Sequence, residues 1–202
     1  MFLLVLFGLL VSMTPAWSGS LQICDDAGQT VVLPKPAQRL IALYGAYNEI
    51  LAEMGLLDRL VGRTKADTQP PEIVAKPSIG THMRPNVEMI LGLQPDLIIQ
   101  AAGAQEAMPG LEQLRQQGMA VAVFHPDSFN SLFSVIQRLG VLTGEPGRAD
   151  ALIKRLQGQL AEVAVTLDNI KSRPRVFFEI RYPNLLGAGT ASMVNDIIHQ
   201  AG

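Results

Sequence analysis

Residues 146–170 constrain this chain more than any other segment. Apolar side chains recur at Ala149, Leu152, Ile153, Leu156, Leu160, Val163, Leu167 and Ile170, and only Gly158 between them disfavours a helix. Three-four spacing of this kind lays an apolar stripe along one face of an α-helix. Sustained over the segment, it predicts about seven turns, or roughly 40 Å at the α-helical rise. A helix that links neighbouring strands is usually about half that length. Arg173-Pro174 ends the pattern, and residues 175–180 read as a new buried strand. The economical architecture is one α/β lobe, a long connecting helix, and the start of a second α/β lobe.

The residues before the long helix supply the first lobe. Residues 21–24 and 29–33 are β-prone runs on either side of Asp25-Asp26-Ala27-Gly28, which predicts a hairpin closed off by Pro34 and Pro36. Short apolar strands are then expected at residues 40–43, 60–62, 97–99 and 119–124. Helical runs separate them at about residues 47–54, 86–92 and 109–117, and another follows at 128–142. Continuous apolar strands alternating with amphipathic helices predict an α/β fold, with a parallel sheet flanked by helices on both faces. The expected divisions are an N-terminal lobe at 19–144, the interlobe helix at 145–173 and the opening of a second lobe at 174–202. That second lobe is incomplete as read: one strand and one short helix (about residues 191–200) cannot cover their own faces or pair their edges, so the protein is expected to continue beyond Gly202 or to dock on something else.

Residues 2–11 are apolar except for Gly8, the length of a secretory leader and too short to span a bilayer, which takes roughly twenty apolar residues. Ala16 and Ser18 are small residues two apart, so residues 1–18 read as a signal peptide cleaved after Ser18, although no Lys or Arg precedes the apolar run. A buried N-terminal strand is the bland alternative. Cys24 is the only cysteine and cannot form an internal disulfide; it is expected to pack as a small hydrophobe in a strand. Sixteen basic against eighteen acidic residues leave a net charge of -2, which gives no broad basic surface for nucleic acid. Three scattered histidines and one cysteine predict no tight metal site.

A family resemblance rests on ordered segments rather than on one motif. Pro36-Ala37-Gln38-Arg39-Leu40-Ile41-Ala42-Leu43, Asn48-Glu49-Ile50-Leu51 and Met54-Gly55 come first, then Leu60-Val61-Gly62 and Ser78-Ile79-Gly80. Asn86-Val87-Glu88-Met89-Ile90-Leu91 leads to Pro95-Asp96-Leu97-Ile98-Ile99, followed by residues 118–123, Leu139-Gly140-Val141-Leu142-Thr143-Gly144 and a glycine-rich turn and helix at 187–202. In this order and spacing the chain resembles periplasmic binding proteins of ABC importers for ferric siderophores, haem and cobalamin, over essentially everything from residue 21 onward. The resemblance implies two α/β lobes joined by one long helix, with the ligand held between them. It also implies a monomer that docks peripherally, without spanning the membrane, on a permease with its ATPase. Members usually have a full second lobe, from which this chain departs.

Ligands of open parallel α/β sheets bind at the carboxyl ends of the strands. The loops there carry Tyr44 and Tyr47, then Arg63 and Lys65, then Thr81-His82-Met83-Arg84, then Gly103 and Gln105, then His125; Arg181 and Tyr182 occupy the equivalent loop of the second lobe. The expected ligand-binding set is Tyr44, Tyr47, His82, Met83, Arg84, Gln105, His125, Arg181 and Tyr182. Aromatic rings and guanidinium groups suit a bulky, partly anionic metal chelate. Each residue has an ordinary alternative. Tyr44 can cover a helix end, and His125 with Pro126 and Asp127 can help to cap the next helix. His82 and Met83 suit axial ligation of haem iron, yet a loop histidine is more often a solvated side chain. Arg84 precedes Pro85, a favoured first helical residue, and is expected where loop meets helix. Glu88 in that first turn gains from the helix dipole; the resemblance implies instead that it pairs with an arginine of the permease.

No cofactor is expected beyond the ligand itself. An enzyme is the first rival reading, but the chain lacks G-x-G-x-x-G, P-loop, G-x-S-x-G and H-E-x-x-H patterns and shows no paired carboxylates at strand ends. A ligand-sensing module that signals to a membrane receptor is the second rival. The same lobe would serve either use.

Overall fold

The structure is a computed structural model and describes residues 19–103, 107–168, 170, 172–181 and 186–202. Its first two strands, β1 (Leu21–Cys24) and β2 (Thr30–Leu33), form the expected antiparallel hairpin, with Leu21 opposite Leu33 and Cys24 opposite Thr30. Asp25 shapes the turn: its Oδ1 accepts from the amides of Ala27 and Gln29, at 3.0 and 2.7 Å. Leu21 and Ile23 point inward, so the alternate residue Cys24 points out and is exposed. The expectation that it packs as a hydrophobe is therefore corrected, because the two-residue period of the strand assigns its side to solvent.

A four-stranded sheet follows, built from β3 (Leu40–Ala42), β4 (Leu60–Gly62), β5 (Leu97–Ala101) and β6 (Ala120–Phe124). Its order is β4-β3-β5-β6 and every pairing is parallel. Helices cover both faces, which is why the strands are apolar without alternation. Leu40, Ala42, Leu97, Ile99, Ala122 and Phe124 pack on one side against helices α1 (Gly45–Glu53), α4 (Phe129–Thr143) and the first half of α5 (Pro146–Leu167). Ile41, Leu43, Ile98, Val121 and Val123 pack on the other against α2 (Val87–Leu93) and α3 (Met108–Gln116).

Helix ends follow their local chemistry. Ser128 and Ser131 form a reciprocal capping box at the start of α4, and Gly144 closes that helix in the left-handed conformation, φ 70°. Asn86, not Pro85, caps α2, its side chain accepting from the Met89 amide at 2.9 Å. Pro85 lies before the cap, bridged to Gly80, and this corrects its expected place as the first helical residue. Gly80 has φ 97°, and a Cβ there would lie 2.7 Å from the Arg84 carbonyl oxygen, so only glycine allows this approach.

The long helix is present over 22 residues and ends at Leu167 rather than at residue 170. Ala149, Leu152 and Ile153 are buried, whereas Val163 and Val165 are exposed, so only the first half of the apolar stripe finds a core. The expected buried strand at 175–180 is also corrected. Only β7 (Glu179–Arg181) is a strand, paired antiparallel with the short β8 (Leu186–Gly187), and Val176, Phe177, Phe178 and Ile180 are exposed. A strand becomes buried only when layers cover its faces, and among the described residues no sheet or helix does so here. Helix α6 (Met193–Gln200), capped by Ser192, packs against α4 and α5. The expected leader at residues 1–18 lies outside the described residues. Among the described residues, no helix is long and apolar enough to cross a membrane.

Candidate functional site

In the sheet order β4-β3-β5-β6 the chain leaves β3 toward one edge and β5 toward the other, so a crevice opens between their carboxyl ends. A cavity of about 510 Å³ occupies that position. Its floor is Ala101, Ala102 and Phe124 from β5 and β6, with Tyr44, Ala46, Tyr47 and Ile50 from the start of α1 on one side. His125, Pro126, Phe129 and Leu132 line the side leading into α4, and Met193 and Ile197 of α6 complete it. The Asp196 carboxylate of α6 accepts a 2.6 Å hydrogen bond from the amide of Phe129, the first residue of α4. That contact adds a negative charge at a helix N-terminus and seats α6 beside the cavity.

The aromatic residues are mutually braced. The Tyr44 ring lies 6.2 Å from that of Tyr47 and 6.0 Å from that of His82, and Tyr47 lies 6.1 Å from Phe124. Tyr44 is 46% exposed and stands at the mouth, while Tyr47 is buried and donates its hydroxyl to the Phe124 carbonyl oxygen at 3.1 Å. Burial, reinforced by the nearby Asp26 and Tyr44 charges, pushes the Tyr47 phenol well above its ordinary range. Tyr47 therefore offers the cavity a ring, with its polar end already engaged.

Beneath Phe124 the Arg138 guanidinium lies 4.7 Å from the ring centre and pairs with Asp26 at 2.6 Å. Asp26 also accepts from the His125 amide at 2.7 Å, and the Asp25 carboxylate accepts from the Val123 amide at 3.0 Å. The hairpin turn thus holds the end of β6 and the backbone of His125. Burial pushes the Asp26 carboxyl up, but the bonds from Arg138 and the His125 amide, with the charges of both residues, outweigh it and hold it below the ordinary aspartate value.

Tyr44, Tyr47 and His125 share one cavity, as their loops suggested. His82 meets Tyr44 at an adjoining hollow, and its loop is held by buried Gln100, whose Nε2 donates to the His82 carbonyl oxygen at 2.8 Å. Met83 packs against the core under α2 and not into the cavity. Arg84 is exposed, and its amide donates to Thr81 Oγ1 at 3.0 Å. Arg63 turns its guanidinium to the carbonyl oxygens of Thr64 and Asp67, and Lys65 is exposed. Gln105 and Tyr182 lie outside the described residues; Arg181 is placed by its backbone in β7. Phe124, Phe129, Leu132, Met193 and Ile197 line the cavity without having stood out in the sequence. The one signal for the last two is their i, i+4 spacing on α6.

Such a cavity can bury a flat, largely apolar body against ring faces while polar groups remain at its mouth. Among the described residues, no group of three or more His, Cys, Asp or Glu is placed to hold a metal ion.

The family described as periplasmic binding protein matches residues 40–202. An uncharacterised ABC transporter substrate-binding lipoprotein of Bacillus subtilis (strain 168), YvrC, is 28% identical over 185 residues, covering 88% of this chain and 58% of that protein. A vitamin B12-binding protein of Vibrio cholerae is 32% identical over 113 residues, 56% of this chain and 41% of its own length. Among solved structures, the apo periplasmic heme-binding protein RhuT from Roseiflexus sp. RS-1 superposes with a TM-score of 0.72 at 27% identity, covering 82% of this chain and 64% of that one. The chain thus spans less than two thirds of the length of each of these relatives. With the match running across the sheet, the long helix and α6, the chain belongs to the periplasmic binding protein family.

Proposed function

We propose that this chain is the extracytoplasmic solute-binding subunit of an ABC importer, capturing a metal chelate (a ferric siderophore, haem or cobalamin) and delivering it to the membrane permease. The observation that carries the reading is the aromatic cavity at the carboxyl ends of β3, β5 and β6, with Tyr44 and His125 at its margin. Family membership and the ligands named for the Vibrio and Roseiflexus relatives support it. Capture involves no chemistry on the ligand: burial of its apolar faces supplies the driving force, at about 25 cal/mol per Å² removed from water. Tyr44, Tyr47, His82 and His125 are the contacts on this lobe; Arg84 and Gln105 keep their proposed roles on their strand-end loops alone, and Arg181 and Tyr182 on resemblance. The lobe divisions at 144/145 and 173/174, export through cleavage after Ser18, and a periplasmic location belong to the same proposal.

The test is an absorbance titration of the purified protein with three probes: iron protoporphyrin, cyanocobalamin and a ferric catecholate. Saturable binding of one probe at one site per chain is expected. Failure to bind all three overturns the reading.

A further inference from the structure

A second hollow of about 370 Å³ adjoins the aromatic cavity and shares Tyr44 and Ala46 with it. Leu43, Gly45, Thr64, Ala66, Asp67 and His82 line the rest of it. Asp67 is 6% exposed, an unusual degree of burial for a carboxylate. Its Oδ2 is fully used, accepting from the Thr64 amide at 2.7 Å and from the amide group of buried Asn48 at 3.0 Å. Its Oδ1 has no hydrogen-bond partner among the described residues and faces the hollow. Arg63 donates to the backbone carbonyl oxygens of Thr64 and Asp67, and no hydrogen bond joins it to the Asp67 carboxylate. A nearly buried carboxylate with one oxygen open toward a hollow lacks a hydrogen-bond donor there.

The start of α1 faces the same place. A Cβ on Gly45 would lie 3.1 Å from Asp67 Oδ1, so the carboxylate already sits against the first turn of that helix and answers its dipole. An anion in the hollow is repelled by the Asp67 carboxylate that lines it. A group bearing N–H finds an acceptor.

We propose that Asp67 is a specificity-determining residue of a subsite for hydrogen-bond-donating substituents of the ligand. It accepts amide side groups of a corrinoid-type ring lodged in the aromatic cavity and repels carboxylate side groups of a haem-type ring. The inference rests on the proposed capture of a ring chelate and narrows it to amide-bearing rings.

The test compares dicyanocobinamide, whose peripheral groups are amides, with dicyanocobyrinic acid, in which the same positions are carboxylates, by spectroscopic titration of the purified protein. The intact protein is expected to prefer the amide ring by roughly tenfold or more, the scale of one charge-assisted hydrogen bond. Asp67→Asn is expected to bring the ratio to within about threefold by improving the carboxylate ring, a change that a purely structural role does not produce. Ala66→Lys, at an exposed position on the hollow, places an ammonium beside Asp67 and is expected to narrow the ratio in the same direction, without disturbing buried contacts. Equal binding of both rings by the intact protein, or a ratio that neither variant moves, overturns the role of Asp67 and leaves chelate capture standing. Failure to bind either of these rings or iron protoporphyrin removes ring capture, and the role of Asp67 with it.

Discussion

The Tyr47 hydroxyl and the Phe124 carbonyl oxygen, 77 residues apart in the chain, are joined by a 3.1 Å hydrogen bond that ties α1 to the carboxyl end of β6. This bond joins two residues that line the cavity. It also explains why a tyrosine is buried here at all: its polar end has a partner, and its ring remains available to an apolar ligand.

Tyr47→Phe tests that division of labour. The Phe124 carbonyl oxygen keeps its second donor, the Ala102 amide at 2.8 Å, so no buried acceptor is stranded. The expected cost is about 1 kcal/mol of stability, or a fall in Tm of roughly 2–4 °C. Ligand affinity should stay within about twofold, as measured by the same absorbance titration, since the ring face is retained.

Asp26 predicts a pH dependence. Its folded carboxyl lies below the ordinary aspartate value, so the folded state binds its proton less readily than the unfolded state does. Its contribution is then complete above the unfolded value of about 3.9 and is lost as pH falls through the folded value. Urea denaturation of the protein and of Asp26→Asn at a series of pH values should show the parent more stable at pH 7. The two curves should converge in acid, and a constant difference across the series is the contrary result.

Two glycines predict opposite signs. A Cβ on Gly140 would lie 2.6 Å from the Ala149 Cβ, where α4 packs on α5, so Gly140→Ala should destabilise by about 1–3 kcal/mol. Gly158 lies within α5 with nothing in 4 Å of its added Cβ, and Gly158→Ala should stabilise by about 0.5–1 kcal/mol. Thermal unfolding of both variants checks the pair.

Glu88 is exposed in the first turn of α2, beyond the Asn86 cap. If it docks on the permease, Glu88→Ala should leave chelate affinity unchanged and slow ATP-dependent uptake by roughly fivefold or more, the kind of effect expected of a lost interface charge. Normal uptake by the variant removes the docking role.

The strands and helices were legible because their signals are local. Leu40 to Ala42, Leu97 to Ile99 and residues 120–124 are continuous apolar runs, and α4 shows in the spacing of Leu132, Val135, Ile136, Leu139 and Leu142. The 3.6-residue period of α5 was equally plain, but periodicity reports only that a face is apolar. It does not report whether anything covers that face, and so the burial of Leu152 and the exposure of Val165 look alike in sequence. The same limit explains why residues 175–178 were expected to be a buried strand and are not, since their apolar side chains have no covering layer among the described residues.

What the sequence determined by itself was the α/β class, the hairpin turn at Asp25 to Gly28, and the loops that carry Tyr44, His82 and His125. Tertiary structure alone decided which of those side chains share a space. It turned Met83 into the core and brought Phe129 and Ile197 to the cavity; it committed the Tyr47 hydroxyl to Phe124 and left one oxygen of Asp67 open. The reason is physical: helix and strand patterns arise from contacts a few residues apart, whereas a cavity is made by residues that meet only once the sheet is ordered and both its faces are covered.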